Sequence, residues 1–485
     1  MTPSIDRRDF VKLAVATGAG LSLPGLTGCE AGGAGSGAVL RSLEEVDPAA
    51  VERFVASLTG QVIRPTSEVY DPARRVWNGK FDRRPGIIVR PSDATDVARS
   101  VDFARSEGVL TAVRGGGHGQ AGHGTCDGGM VIDLSRMKGL EVDPAQAVAR
   151  AEPGVLSIQM DAATQQHGLA TVMAACPAVG IGGFTLGGGE GILGGKFGLG
   201  SDNLLSAEVV LADGSTVVAN EETNPDLFWA LRGGGGNFGI VTSFRYRVHP
   251  VDEVLGGVLL YDLAQASDVL AFYNELAASM PDELTVAPAF ATLPDGPIFA
   301  IEMCYAGDLA AGEATLAPIR AFGSPVQDLV RPMPYLELKG QGANPPPGTP
   351  TEMRAGFLPE LNDEVIAALT GAVVESPPGS VAGMTQLHGA TTRGDTAFPL
   401  RDPGFDLFIS SVWEEPSQAE TPIGWVRGLG DALEPHFQGI YVNALDDEGP
   451  ERVRKAYGGG FTRLAELKRR YDPDNFFRVN HNIAP

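Results

Sequence analysis

Residues 111–135 read TAVRGGGHGQAGHGTCDGGMVIDLS, and the reading of the whole chain turns on them. The spacing predicts a strand at Thr111–Arg114, a glycine-dense loop centred on His118, and a second apolar run leaving it at Met130–Leu134. Glycine lacks a Cβ, so Gly115, Gly116, Gly117 and Gly119 allow positive φ and a close approach of backbone to a ligand. Successive amide N–H groups in such a turn can form an anion-binding nest. One imidazole stands in the middle of it. Together these features suggest a phosphate-bearing cofactor, with His118 as a candidate tether. An ordinary glycine-rich turn around a solvated histidine would fit the same residues. The loop is neither a dinucleotide-binding Rossmann turn nor a P-loop, which would need a Lys followed by Ser or Thr.

Two further glycine clusters lie downstream. Cys176-Pro177-Ala178-Val179-Gly180-Ile181-Gly182-Gly183 leads into Gly187-Gly188-Gly189 and Gly194-Gly195, and Gly233–Gly236 precedes Phe238-Gly239-Ile240-Val241. Each cluster ends a predicted regular element, which suggests three backbone segments wrapping one extended ligand. Around them we expect a strand at Ile87–Val89 and a helix capped by Ser92 or Asp93 and stopped by Gly108. A helix at Ser157–His167 and a hairpin turning at Ala212-Asp213-Gly214-Ser215 follow. Asn224-Pro225 reads as the cap and first turn of a helix at Asp226–Leu231.

Residues 251–440 have far fewer glycine clusters. Strands are expected at Gly257–Tyr261, Thr285–Ala291, Ile298–Cys304, Thr385–Gly389 and Phe405–Trp413. Helices are expected at Ala264–Ala278, Leu309–Phe322, Leu361–Val373 and Pro422–Leu433, with a proline-rich loop at Ala343–Pro350. Runs of strand and helix in this order fit an antiparallel sheet with helices on one face, an α+β arrangement.

The chain has 485 residues, 43% hydrophobic and 20% charged, enough for two or three domains with sizeable cores. Its 60 acidic and 37 basic residues leave a net charge of −23, which disfavours nucleic acid or an anionic membrane as a general partner. At the N-terminus, Asp6-Arg7-Arg8-Asp9-Phe10-Val11-Lys12 resembles a twin-arginine export signal, followed by an apolar stretch shorter than the ~20 residues of a membrane span. Leu26-Thr27-Gly28-Cys29 resembles a lipobox, so Cys29 is either lipidated or an incidental residue after a plain cleavable signal. We therefore expect a signal at 1–29, a linker at 30–46, and an exported protein that touches a membrane only through a lipid on Cys29.

Taken in order, the motifs resemble a known family. They are Arg114–His118, Val131-Ile132-Asp133-Leu134-Ser135, the Cys-Pro-x-Val-Gly and triple-glycine segment, Asp202-Asn203-Leu204-Leu205, and Asp226–Arg232 with Asn237-Phe238-Gly239. Tyr471-Asp472-Pro473-Asp474-Asn475-Phe476-Phe477-Arg478 and Asn480-His481-Asn482-Ile483 complete the pattern. It is similar to the FAD-linked oxidases of the vanillyl-alcohol-oxidase superfamily, in the berberine-bridge-enzyme-like branch. The resemblance implies a two-lobed FAD-binding domain at 47–250 and a substrate-binding domain at 251–440. A closing segment at 441–485 would return to the FAD domain.

It also implies roles for individual residues. His118 matches the histidine joined to the flavin 8α-methyl, and Cys176 matches the cysteine that bicovalent members join to flavin carbon six. Many bacterial relatives lack that cysteine. Arg114, Gly115, Gly116, Gly117, Gly119, Gln120, Val179, Gly180, Gly183, Gly187, Gly188, Gly189, Gly239, Ile240, Val241 and Asn480 fall in the matching cofactor segments. Tyr441 matches an active-site tyrosine, which would need help to act as a base because a phenol's ordinary pKa is ~10. Asn443 is expected near the flavin ring, and Gln386 and His388, on one face of a predicted strand, are candidate pocket residues. Val179 matches a position where small side chains admit dioxygen. Plant relatives usually carry histidine where Phe184 stands, so plant substrate preferences do not transfer.

Cys126 and Cys304 could pair in an oxidising compartment, and no metal site is expected, since His118 and His123 lack supporting carboxylates or thiolates. The expected activity is hydride removal from an alcohol, a sugar or glycoside hydroxyl among the candidates, with dioxygen reduced to hydrogen peroxide. Its rivals are a dehydrogenase using a quinone or other acceptor, and an exported binding lipoprotein without catalysis. The sequence assigns neither substrate nor oligomeric state.

Overall fold

The computed structural model describes residues 40–341 and 345–485. The export signal, the lipobox and the linker up to residue 39 lie outside the described residues, as does part of the proline-rich loop. Among the described residues no helix is long and apolar enough to cross a membrane.

The fold is α+β, built on two small sheets and one large one, with a two-stranded ribbon of Leu169–Ala170 and His249–Pro250 beside them. Strands Gln61–Ile63, Ile87–Arg90, Met130–Asp133 and Thr111–Arg114 lie side by side in that order, the last three parallel. Ile87, Ile88 and Val89 are buried on both faces, as a covered parallel strand requires. The helix beside them, Ala94–Glu107, is capped by the Asp93 carboxylate, which accepts from the amides of Thr95 and Asp96. It buries Val97, Val101 and Ala104 at helical spacing and stops at Gly108, whose φ of 67° is the left-handed conformation glycine tolerates best.

A second, antiparallel sheet runs in the order Leu140–Asp143, Val148–Ala151, Ile240–Arg247, Leu204–Val210 and Thr216–Ala219. The expected hairpin is present at its edge. Asn224 and Pro225 occupy the N-cap and first turn of the helix Pro225–Leu231 as expected, but Asn224, at φ 49°, turns its side-chain amide to the Val218 carbonyl, 2.8 Å away, and makes no side-chain cap.

The third sheet has eight strands. Seven of them follow in the order Gln327–Asp328, Glu253–Tyr261, Gly296–Tyr305, Leu284–Leu293, Ser380–Leu387, Gly404–Val412 and Thr351–Leu358. The last was missed in the sequence because it follows directly on the proline-rich loop. The strand expected at 385–389 begins five residues earlier and ends at Leu387. Alternation along Leu284–Leu293 puts Leu284, Val286 and Phe290 in a core with helices Ala266–Ala277, Leu309–Ala321, Asp363–Val373 and Glu420–Leu433. Apart from short helices at one end, such as Tyr335–Lys339 with Tyr335 and Leu338 packed on Val254 and Cys304, the opposite face is bare of helices.

That bare face looks towards the two small sheets. Buried Asn78 joins the halves, donating to the carbonyls of Gln120 and Thr351, both at 2.9 Å, while its own oxygen accepts from the Thr351 amide. The C-terminal segment is tied to the third glycine cluster. Lys468, fully buried, donates to the Asp472 carboxylate at 2.6 Å and to the carbonyls of Asn237 and Phe477. Asn237 in turn donates to the His481 carbonyl and accepts from the Ile483 amide. The third glycine cluster and the C-terminal motif are therefore one hydrogen-bonded unit.

Candidate active site

Between the bare sheet face and the small sheets lies a cavity of about 2190 Å³. Ordinary small-molecule pockets measure ~300–1,000 Å³, so this one has room for an extended cofactor and a second molecule. Its walls bring the three glycine clusters together: residues 115–119, then Gly180, Gly182 and Gly183, then Gly235, Gly236 and Gly239. Gly116 and Gly180 touch backbone to backbone, and a Cβ on Gly116 would lie 2.6 Å from the Gly180 nitrogen. At Gly119, Gly183 and Gly236 a Cβ would meet no protein atom within 4 Å and would project into open space.

The chemistry of this wall suits a dinucleotide phosphate. Among the described residues, neither a carbonyl nor a side chain accepts from the amides of residues 116–119, which leaves these donors open to a ligand in the cavity. The side-chain oxygens of Gln120 and Asn480 are likewise without partners at the cavity. Ile240 and Val241 line it as apolar wall, and so does Val179.

Four expected cofactor contacts need correction. Gly187, Gly188 and Gly189 do not line the cavity; a Cβ on them would strike Asn443, Phe398 and Phe184 respectively, so their missing side chains serve packing behind the wall. Arg114 lines it, but its guanidinium is committed to the carbonyls of Ala73 and Arg75 at 2.6 and 2.9 Å and to Asp133 at 3.2 Å. It braces the loop.

His118 Nε2 lies 3.4 Å from Cys176 Sγ, and the Trp77 indole stacks on the imidazole at 4.0 Å between centroids. Burial pushes the His118 pKa down to about 4, so at neutral pH the ring keeps an unprotonated nitrogen. The neighbouring His123 and His481, edge to face at 4.8 Å, are held neutral the same way, at about 4 and about 3. Cys126 and Cys304 are separate thiols, each pushed up to about 12 by burial.

Tyr441 caps a single helical turn, Val442–Ala444. Its Oη accepts from the amides of Gly189 and Glu190 at 3.1 and 3.2 Å and from Asn443 Nδ2 at 2.8 Å. Asn443 is oriented by a second donation to the Phe184 carbonyl at 3.0 Å. Burial and the Glu190 carboxyl nonetheless raise the Tyr441 pKa, outweighing those three donors. The phenol stays protonated.

Two buried carboxyl groups that were missed in the sequence share the cavity with Tyr441. Glu190 follows the triple glycine, and Asp406 sits on Gly404–Val412 facing the cavity. Their side chains hydrogen-bond to each other, and burial raises both, Asp406 to about 7. Among the described residues, Glu190 Oε1 and Asp406 Oδ1 have no other partner. Asp406 could have been suspected as a lone acid within the apolar run Gly404-Phe405-Asp406-Leu407-Phe408-Ile409.

Gln386 and His388 are corrected. They share a face as expected, but it is the other face: Gln386 donates to the Ala277 carbonyl at 2.8 Å and His388 Nε2 lies 3.3 Å from the Pro281 carbonyl. Thr385, their neighbour, lines the cavity instead.

Comparison with known proteins agrees with this architecture. Residues 85–220 match the family model for an FAD binding domain, and residues 440–484 match the one described as berberine and berberine like. An FAD-linked oxidoreductase of Dictyostelium discoideum is 31% identical over 445 residues, spanning 90% of this chain and 97% of that protein. The crystal structure of 6-hydroxy-D-nicotine oxidase from Arthrobacter nicotinovorans, 29% identical, superposes with a TM-score of 0.82 over 88% of this chain and 98% of that one. Glucooligosaccharide oxidase from Acremonium strictum, whose FAD is described as 6-S-cysteinyl and 8α-N1-histidyl, is 25% identical with a TM-score of 0.81 over 90% and 99% of the two chains. The chain belongs to the FAD-linked oxidoreductases of the vanillyl-alcohol-oxidase superfamily, in the berberine-bridge-enzyme-like branch.

Proposed function

We propose that the protein is an FAD-dependent oxidase that removes a hydride from a carbon bearing a hydroxyl group and passes the electrons to dioxygen, giving hydrogen peroxide. The observation that carries this reading is the buried Glu190–Asp406 pair beside Tyr441, in the same cavity as the His118–Cys176 pair. FAD, when bound, supplies the hydride acceptor, and the protein supplies placement and proton handling.

The amides of residues 116–119 would hold the phosphates. His118 and Cys176 would each tether the flavin, the neutral imidazole acting through a ring nitrogen and the cysteine through its sulfur. Asp406 would take the hydroxyl proton, because a base works best with a pKa near the working pH, and about 7 meets that condition. Tyr441, with its oxygen fixed by three donors, keeps its own proton to direct at the substrate oxygen. The catalytic base expected at Tyr441 thus moves to the carboxyl pair. Val179, at the position matched to a small-side-chain entry for dioxygen, favours oxygen as the acceptor.

The test is an absorbance spectrum before and after acid precipitation, with mass analysis of the flavin peptides. Two modified peptides, one holding His118 and one Cys176, are expected; free flavin in the supernatant would remove the tethers. Peroxide formed at the rate of substrate oxidation supports the oxidase, and flavin that reoxidises only with a quinone favours a dehydrogenase. The reading extends to export by the twin-arginine route, for which changing Arg7 and Arg8 to Lys should leave the flavoprotein in the cytoplasm.

A further inference from the structure

We propose that the substrate is an elongated, apolar-bodied molecule with a protonated amine at the end remote from the reacting carbon, and that Glu302 selects it; this rests on the oxidase reading above. Glu302 lies on Gly296–Tyr305 and lines the cavity. It pairs across the sheet with Val258 on one side and Ala287 on the other. The next strand is registered by Ala289 against Gly383, so continuing that register by two residues sets Ala287 opposite Thr385, and Thr385 pairs with Asp406. Glu302, Ala287, Thr385 and Asp406 therefore form one transverse row on the cavity face. Three strand spacings of ~4.8 Å separate its acidic ends by about 14 Å.

The middle of the row is small, with Ala289 and Gly383 beside Ala287 and Thr385, and the surrounding wall is apolar, including Val258, Leu260 and Phe408. A slender hydrocarbon body fits such a floor. At one end Asp406, only 6% exposed, lines the cavity beside its partner Glu190. At the other, Glu302 makes no hydrogen bond or ion pair among the described residues. The one cation that bears on it, Lys339, is committed to the carbonyls of Met173 and Ala174 and to Asp161 at 3.4 Å.

The sign of the missing partner follows from charge. Five carboxyl residues line the cavity, Glu337 being paired with Arg331 and Glu190 and Asp406 with each other, which leaves Glu302 and Glu414 facing one guanidinium, Arg114, that Asp133 already engages. An anionic substrate would be repelled. A neutral hydroxyl would leave a carboxylate in an apolar wall uncompensated, whereas an ammonium group supplies both the charge and the donors.

The experiment uses the FAD-loaded protein at pH 7 and reads perturbation of the flavin absorbance by three probes of equal length, n-octylamine, 1-octanol and octanoate. We expect octylammonium to bind at least tenfold more tightly than octanol, with octanoate weakest, and Glu302→Gln to bring the amine within twofold of the alcohol. Glu302→Lys should shift the preference towards octanoate; flavin content and thermal midpoint establish that each variant is folded. No amine advantage in the wild type, or an advantage that survives Glu302→Gln, overturns the proposal. Turnover of 8-amino-1-octanol separates the two readings. Tight, Glu302-dependent binding without oxidation refutes alcohol oxidation and upholds Glu302. Oxidation of 1-octanol without amine preference does the reverse.

Discussion

The two halves of the cavity are made in opposite ways. On the cofactor side the wall is backbone: glycines that leave space at 119, 183 and 236, amides without partners at 116–119, and a contact between Gly116 and Gly180 too close for any side chain. On the substrate side the wall is side chains alternating along strands, where one residue faces the cavity and the next faces the helices. A backbone wall fixes what is bound through spacing in the sequence. A sheet wall fixes it through register, which depends on strands far apart in the chain.

The largest expected effect comes from the carboxyl pair where the two halves meet. Asp406→Asn should lower the rate of anaerobic flavin reduction by about 10²–10⁴-fold, the usual range for losing a general base, while flavin content is retained. In the wild type that rate should rise with pH through about 7 as Asp406 loses its proton, and the asparagine variant should lose this limb. The effect on stability has the opposite sense. Between the ordinary carboxyl value of 3.8 and about 7 the folded protein holds a proton that the unfolded chain has released, so the pair's contribution falls as pH rises. A pH-independent rate with Asp406 intact would remove it as base.

Next in size is a change to the backbone wall. Gly116→Ala would set a Cβ 2.6 Å from the Gly180 nitrogen, and overpacking of this kind costs ~1–3 kcal/mol. We expect most of the flavin to be lost and the thermal midpoint to fall. Gly119→Ala, whose Cβ meets no protein atom within 4 Å, should keep the midpoint of the flavin-free protein and weaken only flavin binding. Equal behaviour of the two would mean that the glycines serve folding alone.

The contrast explains how much could be read beforehand. The glycine clusters and His118 were legible because their function needs local chain geometry, which spacing records. The triple glycine was misread as cofactor contact because a missing side chain looks the same whether a ligand or Phe398 fills the space. Asp406 and Glu302 were illegible as a pair, since their common row depends on pairing across four strands. Tyr441 lies between these cases: its motif was visible, but the burial and the neighbouring Glu190 carboxyl that keep it protonated were not. Tyr441→Phe should therefore reduce turnover by roughly tenfold, the equivalent of ~1–2 kcal/mol, by depriving three buried donors of their acceptor, and leave the flavin spectrum nearly intact.

The smallest expected effect tests the register itself. Gln386 and Thr385 are chain neighbours on one strand with opposite surroundings, the first bonded to the Ala277 carbonyl and the second at the cavity between Glu302 and Asp406. Gln386→Ala should cost no more than ~1 kcal/mol of stability, the net worth of one hydrogen bond, and leave kcat/KM within roughly twofold. Thr385→Val, similar in volume but without the hydroxyl, should change KM with little effect on stability, because its side chain faces the substrate space. A slip of one residue would exchange the two phenotypes, since it turns every side chain of the strand to the other face. Gln386 would then carry the KM effect and the acidic row from Glu302 to Asp406 would not exist, so this pair of conservative variants decides whether the substrate wall has been assigned to the correct face.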